Sequence, residues 1–153
     1  LPDVETVIVP VGGGGLVLGI ATALEAVSPS TRVYGVQPEA ASALAASFEA
    51  GVPQRTQPGE TITDGAGAGF VVDVFFPAYQ RLLAGCLTVS DDETKAAIYR
   101  LATKNKLVAE GAGALAVAAA LKIPREERGR TVCVVSGGSI NPNLLAEILM
   151  GTA

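Results

Sequence analysis

The chain contains no histidine. Imidazole acid–base chemistry and the commonest metal ligand are excluded together. Tryptophan is also missing and aromatics are only 5% of residues, so no platform for stacking nucleobases is visible. Charged side chains make up 17% of the sequence, where about a quarter is usual in a soluble domain. What charge there is leans acidic, at −4 with an isoelectric point near 4.8. That excludes the basic face a nucleic-acid partner requires. Cysteine is limited to Cys86 and Cys133, too few for a disulfide framework or a zinc site. Cys133 lies in the apolar run Thr131–Val135 and reads as a buried, inert thiol. No apolar run reaches the length of a membrane span, and no signal-peptide pattern is read. A cytoplasmic setting is expected.

What is present is apolar: 49% of 153 residues, with mean hydropathy +0.42. The length suits one domain, 1–153, with a real core. Its low charge implies either a large core or apolar surface covered by something outside the chain. The sequence opens Leu1-Pro2-Asp3 without an initiator Met, and a piece of a longer protein is expected.

The chain is organised around Pro10-Val11-Gly12-Gly13-Gly14-Gly15-Leu16. Thr6–Val11 reads as a buried strand and Leu16–Val27 as a helix. Glycines between a strand and a helix let an anion approach bare N–H groups, and the helix N-terminus adds free donors. A plain tight turn is the simpler reading of a glycine cluster, but four in a row cost more entropy than a turn needs. Two commoner phosphate loops do not fit. No Gly-Lys-Ser/Thr follows. From Gly12 or Gly13 the third position of a dinucleotide fingerprint falls on Val17 or Leu18, and the second strand ends in Gln37, where an acid would hold a ribose.

The remaining pattern alternates strands and helices: strand Arg32–Gln37, helix Glu39–Glu49, strand Cys86–Val89, a capped helix from Ser90 to about Lys104, helix Gly111–Leu121, strand Thr131–Val135 and a final helix to about Met150. In the first helix Leu16, Ile20, Ala23, Leu24 and Val27 are expected on one buried face. Phe70–Ala84 is expected to be helical with an interruption near Pro77. Gly51–Gly69 is a loop of nineteen residues, long enough to suggest function. Ser90 and Glu93 form a capping box, and Asp91 and Asp92 read as helix support. Gly111–Leu121 is apolar all round and should be buried. Asn141 and Pro142 read as N-cap and first residue of the last helix. This order predicts an α/β fold with a doubly wound, mostly parallel sheet, and ligands at the carboxyl ends of its strands.

Four motifs together resemble a known family. They are Pro10–Leu16, Asp64-Gly65, Ala109-Glu110-Gly111-Ala112-Gly113-Ala114 and Val135-Ser136-Gly137-Gly138. In that order and spacing they resemble the C-terminal part of the threonine/serine dehydratases and serine racemases, which are pyridoxal-phosphate enzymes of fold type II. The resemblance implies a cofactor, pyridoxal 5′-phosphate, whose phosphate is held by Gly12, Gly13, Gly14, Gly15 and Leu16. It implies Ser136 at the pyridine nitrogen and Gly65 lining the cofactor. Asp64 beside Gly65 reads equally as an Asx-turn residue. Glu110 matches an acid beside the ring, and is the tentative catalytic residue; as a bare feature it reads as a helix-dipole partner.

Two departures accompany the match. Where some members hold a divalent cation this chain has Gln37 and Ala43, so no metal is expected. The Schiff-base lysine and the loop that holds the substrate carboxylate lie upstream in the family and are not in this sequence. Lys95, Lys104, Lys106 and Lys122 sit on helices or helix ends without that context. The expected function is the cofactor-holding portion of a threonine/serine ammonia-lyase, inactive alone. Its partners would be a small amino acid, the lysine-bearing N-terminal segment and, when intact, further copies of itself. A racemase or threonine-synthase type enzyme and a non-catalytic phosphate-binding module remain as alternatives.

Overall fold

The computed structural model describes residues 1 and 3–152. Strand β1 (Thr6–Pro10) is buried along its whole length, as a run of Val and Ile with no polar alternation requires. It pairs in parallel with β2 (Arg32–Pro38) on one side and β4 (Thr131–Cys133) on the other. Strand β3 (Gly85–Val89) adds in parallel outside β2. The order is β3-β2-β1-β4. The chain therefore starts in the middle, builds outward to β3, then returns to the opposite side of β1.

Helices cover both faces. Helices α1 (Gly15–Val27), α2 (Ala43–Ala50) and α3 (Phe76–Leu82) pack through Val17, Leu44 and Phe76 on Val7, Val9 and Val33. Helices α4 (Asp91–Arg100), α5 (Gly111–Lys122) and α7 (Pro142–Met150) pack through Ile98, Leu115 and Ile148 on Ile8, Val36 and Val89. Successive β1 residues thus feed opposite cores, which is strand geometry. Helix α5 is buried almost all round. Its small side chains let backbone come close: a Cβ on Gly111 would strike the Ile62 carbonyl, and one on Gly113 the Gly137 carbonyl. Between α5 and β4 runs one helical turn, α6 (Arg125–Arg128).

Both capping signals form. Ser90 and Glu93 close a reciprocal box on α4, and Asn141 Oδ1 accepts from the Asn143 N–H at 2.8 Å with Pro142 in the first turn of α7.

Several expectations need correction. The buried face of α1 is Val17 and Ala21, with Leu24 half-buried. Leu16 and Val27 are 46% and 79% exposed and Ala23 is also outside. Apolar residues occupy so many positions of α1 that periodicity alone selects no single face. The helix expected at Glu39–Glu49 is broken at Ser42, preceded by a short 3-10 turn, Glu39–Ala41. The helix expected from Phe70 starts only with a 3-10 turn at Asp73, and Pro77 stands in the first turn of α3, where its missing N–H costs nothing. Helix α4 ends at Arg100 and widens into a π turn, Leu101–Asn105. There Thr103 Oγ1 donates back to the Tyr99 carbonyl at 2.8 Å, a bond that competes with regular helix. Cys133 is half-buried rather than buried. Burial still pushes its thiol upward, and pushes Cys86 up to about 12.

Candidate functional site

In an open sheet, a crevice forms where neighbouring strands send their chains to opposite faces. Here one such point lies between β1 and β4. The chain leaves β1 toward α1 on one face and leaves β4 toward α7 on the other. Ile8 pairs with Cys133, and Val134 N–H donates to the Ile8 carbonyl at 3.0 Å. The quadruple-glycine turn and Ser136 therefore leave the same carboxyl edge from adjacent strands.

The turn after β1 is open in a particular way. Gly14 is the N-cap of α1, at φ +93°, a left-handed conformation that suits glycine. It has no side chain to cap the helix. The first helical bond is Leu18 N–H to the Gly14 carbonyl at 3.0 Å, so the N–H groups of Gly15, Leu16 and Val17 have no partner inside the helix. No acidic residue stands in the first turn. A Cβ added to Gly13 or Gly15 would meet nothing within 4 Å. Bare donors, open space and the positive end of a 13-residue helix fit a phosphate monoester.

The long loop packs against this turn through backbone. Gly67 N–H donates to the Val11 carbonyl at 2.9 Å. A Cβ on Gly12 would sit 2.9 Å from the Gly65 carbonyl, so a side chain there would push the loop away. The far end of the loop is pinned by Asp91: Oδ1 accepts from Thr61 Oγ1 at 2.6 Å and Oδ2 from Ile62 N–H at 3.1 Å. Asp91 thus does more than support α4. Its long-range role has no local signature, because three acids in a first turn all look alike in sequence. Asp64 is exposed, and its carboxylate makes no hydrogen bond among the described residues, so the Asx turn does not form.

Glu110 fastens the turn after β4. It is the N-cap of α5, but its carboxylate makes no cap bond. Instead Oε2 accepts from Ser139 N–H at 2.9 Å, while its own N–H donates to the Gly137 carbonyl at 3.2 Å. A Cβ on Gly137 would strike the same carboxylate, and one on Gly65 would lie 3.6 Å from Oε1. Gly12, Gly65, Glu110 and Gly137 therefore form a continuous wall. A cleft of about 470 Å³ opens beside it, with Asp64, Gly65, Glu110, Ser139 and Asn141 among its lining. No lysine lines that cleft among the described residues. Lys122, at the far end of α5, donates to the Thr88 carbonyl at 3.2 Å and to Glu93 at 3.0 Å. Ser136 is exposed and its hydroxyl is uncommitted among the described residues.

The Gln37 side chain is fully engaged. Its Nε2 donates to the Val11 carbonyl at 3.3 Å and its Oε1 accepts from Leu44 N–H at 2.9 Å. It braces the end of β1 against α2, whose first residue is Ala43. No helix among the described residues is long and apolar enough to cross a membrane.

A doubly wound sheet with an open glycine turn at a switch point has the makings of a site for a phosphate-bearing ligand. The family model for "pyridoxal-phosphate dependent enzyme" matches residues 1–138, and the chain belongs to that family. It is 39% identical over 151 residues to L-threonine dehydratase catabolic TdcB of Escherichia coli (strain K12), covering 97% of this chain and 46% of that protein. The crystal structure of a T.th. threonine deaminase superposes with a TM-score of 0.82 at 40% identity, over 89% of this chain and 46% of that one. Maize serine racemase superposes at 0.86 and 30% identity, over 100% of this chain and 50% of its own. The chain thus spans about half the length of the relatives it matches.

Proposed function

We propose that residues 1–153 form the cofactor-holding unit of a threonine/serine ammonia-lyase. The observation that carries this reading is the row of unpartnered amides at Gly15, Leu16 and Val17 behind a glycine turn open to solvent. The names of the relatives supply the reaction class. Pyridoxal phosphate, when bound, withdraws electrons from the amino acid's α-carbon so that its proton and then the β-hydroxyl can leave.

This chain's residues bind and shape. The amides of Gly12 to Leu16 would grip the phosphate, helped by the α1 dipole. Ser136 would offer a neutral hydroxyl to the pyridine nitrogen. A neutral group does not hold a proton there as a carboxylate would, which weakens electron withdrawal and suits loss of a β-hydroxyl. Glu110 acts as a positioning residue: by holding the Ser139 amide and standing against Gly137, it fixes the turn that carries Ser136. Gly65 supplies a side-chain-free wall. Nothing here supplies the amine that must carry the cofactor, so the proposal includes a lysine-bearing N-terminal segment. Leu16 beside the glycine turn and Val108 beside Gly138, 46% and 56% exposed, supply apolar surface for that segment to cover. Assembly of the intact enzyme into a homo-oligomer and a cytoplasmic setting, suited to two free thiols, belong to the same proposal.

The test uses the intact protein that carries this chain. With L-threonine and pyridoxal phosphate it should release 2-oxobutanoate and ammonia. The match of the whole chain to maize serine racemase favours one second reading, conversion of L-serine to D-serine. Chiral analysis of the serine product separates the two, and absence of both products would defeat the proposal.

A further inference from the structure

We infer that the hydroxyl of Tyr79 is a side-chain donor to the cofactor phosphate, acting beside the backbone amides of the glycine turn. The inference rests on the cofactor reading given above. Tyr79 lies on α3 and is only 3% exposed. Its ring packs in the core beneath α1 with Val17 and Phe76. Its hydroxyl reaches the turn itself: a Cβ on Gly14 would collide with Oη. With Gly12 and Gly13 it borders a cavity of about 60 Å³ whose other walls include Val11, Leu44 and Val71.

Within that cavity the hydroxyl has no protein partner among the described residues. The other polar side chain, Gln37, already serves the Val11 carbonyl and the Leu44 amide. The ring is buried but its hydroxyl oxygen is open toward the turn, and an O–H that gains an anion there forms a strong, charge-assisted bond. Burial raises the Tyr79 pKa, and Cys86 adds to the rise, so the group stays protonated and can donate. The glycine turn has every donor it needs for one face of a phosphate, and Tyr79 approaches from the α3 side. A phenylalanine at position 79 would fill the core as well but leave that side of the anion without a hydrogen bond.

The test is Tyr79→Phe in the intact protein, which keeps the ring and removes only the oxygen. The dissociation constant for pyridoxal phosphate should rise about 10- to 100-fold, the range for a hydrogen bond to a charged group. Pyridoxal, which lacks the phosphate, should bind within about twofold of the parent by the same reasoning. Inorganic phosphate should compete less well, and the phosphorus NMR resonance of the bound cofactor should shift. Unchanged affinity for pyridoxal phosphate in the variant would overturn the inference alone. So would equal losses for pyridoxal phosphate and pyridoxal, or a drop in the melting temperature of the cofactor-free protein without selective loss; both indicate a packing role. A parent protein that binds pyridoxal phosphate no better than pyridoxal would overturn the phosphate site and this inference with it.

Discussion

The two turns at the carboxyl edge of the sheet are built in opposite ways. The turn after β1 has no side chain, no cap and no acid, and its amides are free. The turn after β4 is also glycine-rich, yet a carboxylate from a third segment holds it: Glu110 accepts from Ser139 and its amide donates to Gly137. No side chain holds the first turn's backbone, whereas the second is pinned at Gly137 and Ser139 by one distant residue. The lesson is that glycine content does not distinguish a turn left open to a ligand from one pinned by a distant side chain.

The contrast can be broken at both ends. Gly14→Ala should have the largest effect. A side chain at φ +93° costs about 1–2 kcal/mol on its own, and the methyl would displace the Tyr79 ring besides. Thermal unfolding should show a loss of several degrees, and pyridoxal-phosphate affinity should fall by more than tenfold; a variant with parental affinity would show the turn is not the anion site. Glu110→Ala should come next. It removes an exposed bond to the Ser139 amide, worth about 0.5–1.5 kcal/mol, and frees the second turn. Its turnover number should drop more than its affinity for pyridoxal phosphate, and the reverse pattern would place Glu110 at the phosphate instead. Ser139→Ala should matter least, within about 0.5 kcal/mol by urea titration, because position 139 works through its backbone N–H. A large loss there would give the hydroxyl a role the contact does not require.

How much of this was readable without coordinates varies by element. The buried strand Thr6–Pro10, the all-round apolar Gly111–Lys122 helix and the caps at Ser90 and Asn141 are local facts, written in composition and spacing. So is the glycine turn. What could not be read is long-range. Asp91 reaching Thr61 and Ile62, Glu110 reaching Ser139, and Tyr79 standing against Gly14 each join residues 29 to 65 positions apart. The long loop between Gly51 and Gly69 is ordered mainly by backbone bonds, such as Thr56 N–H to the Gly69 carbonyl at 2.8 Å. Backbone bonds leave no mark on residue type. In α1 the fault was the opposite: too many apolar residues, so that Val17 and Ala21 could not be separated from Leu16 and Val27.

The carbonyl oxygen of Val11 accepts two hydrogen bonds, one from the Gly67 amide and one from the Gln37 side chain. A single atom at the tip of the central strand is thus the knot for three distant stretches of chain. The long loop and the end of β2 therefore compete for the lone pairs of one oxygen, and the loop's seat on the sheet is set by that shared acceptor.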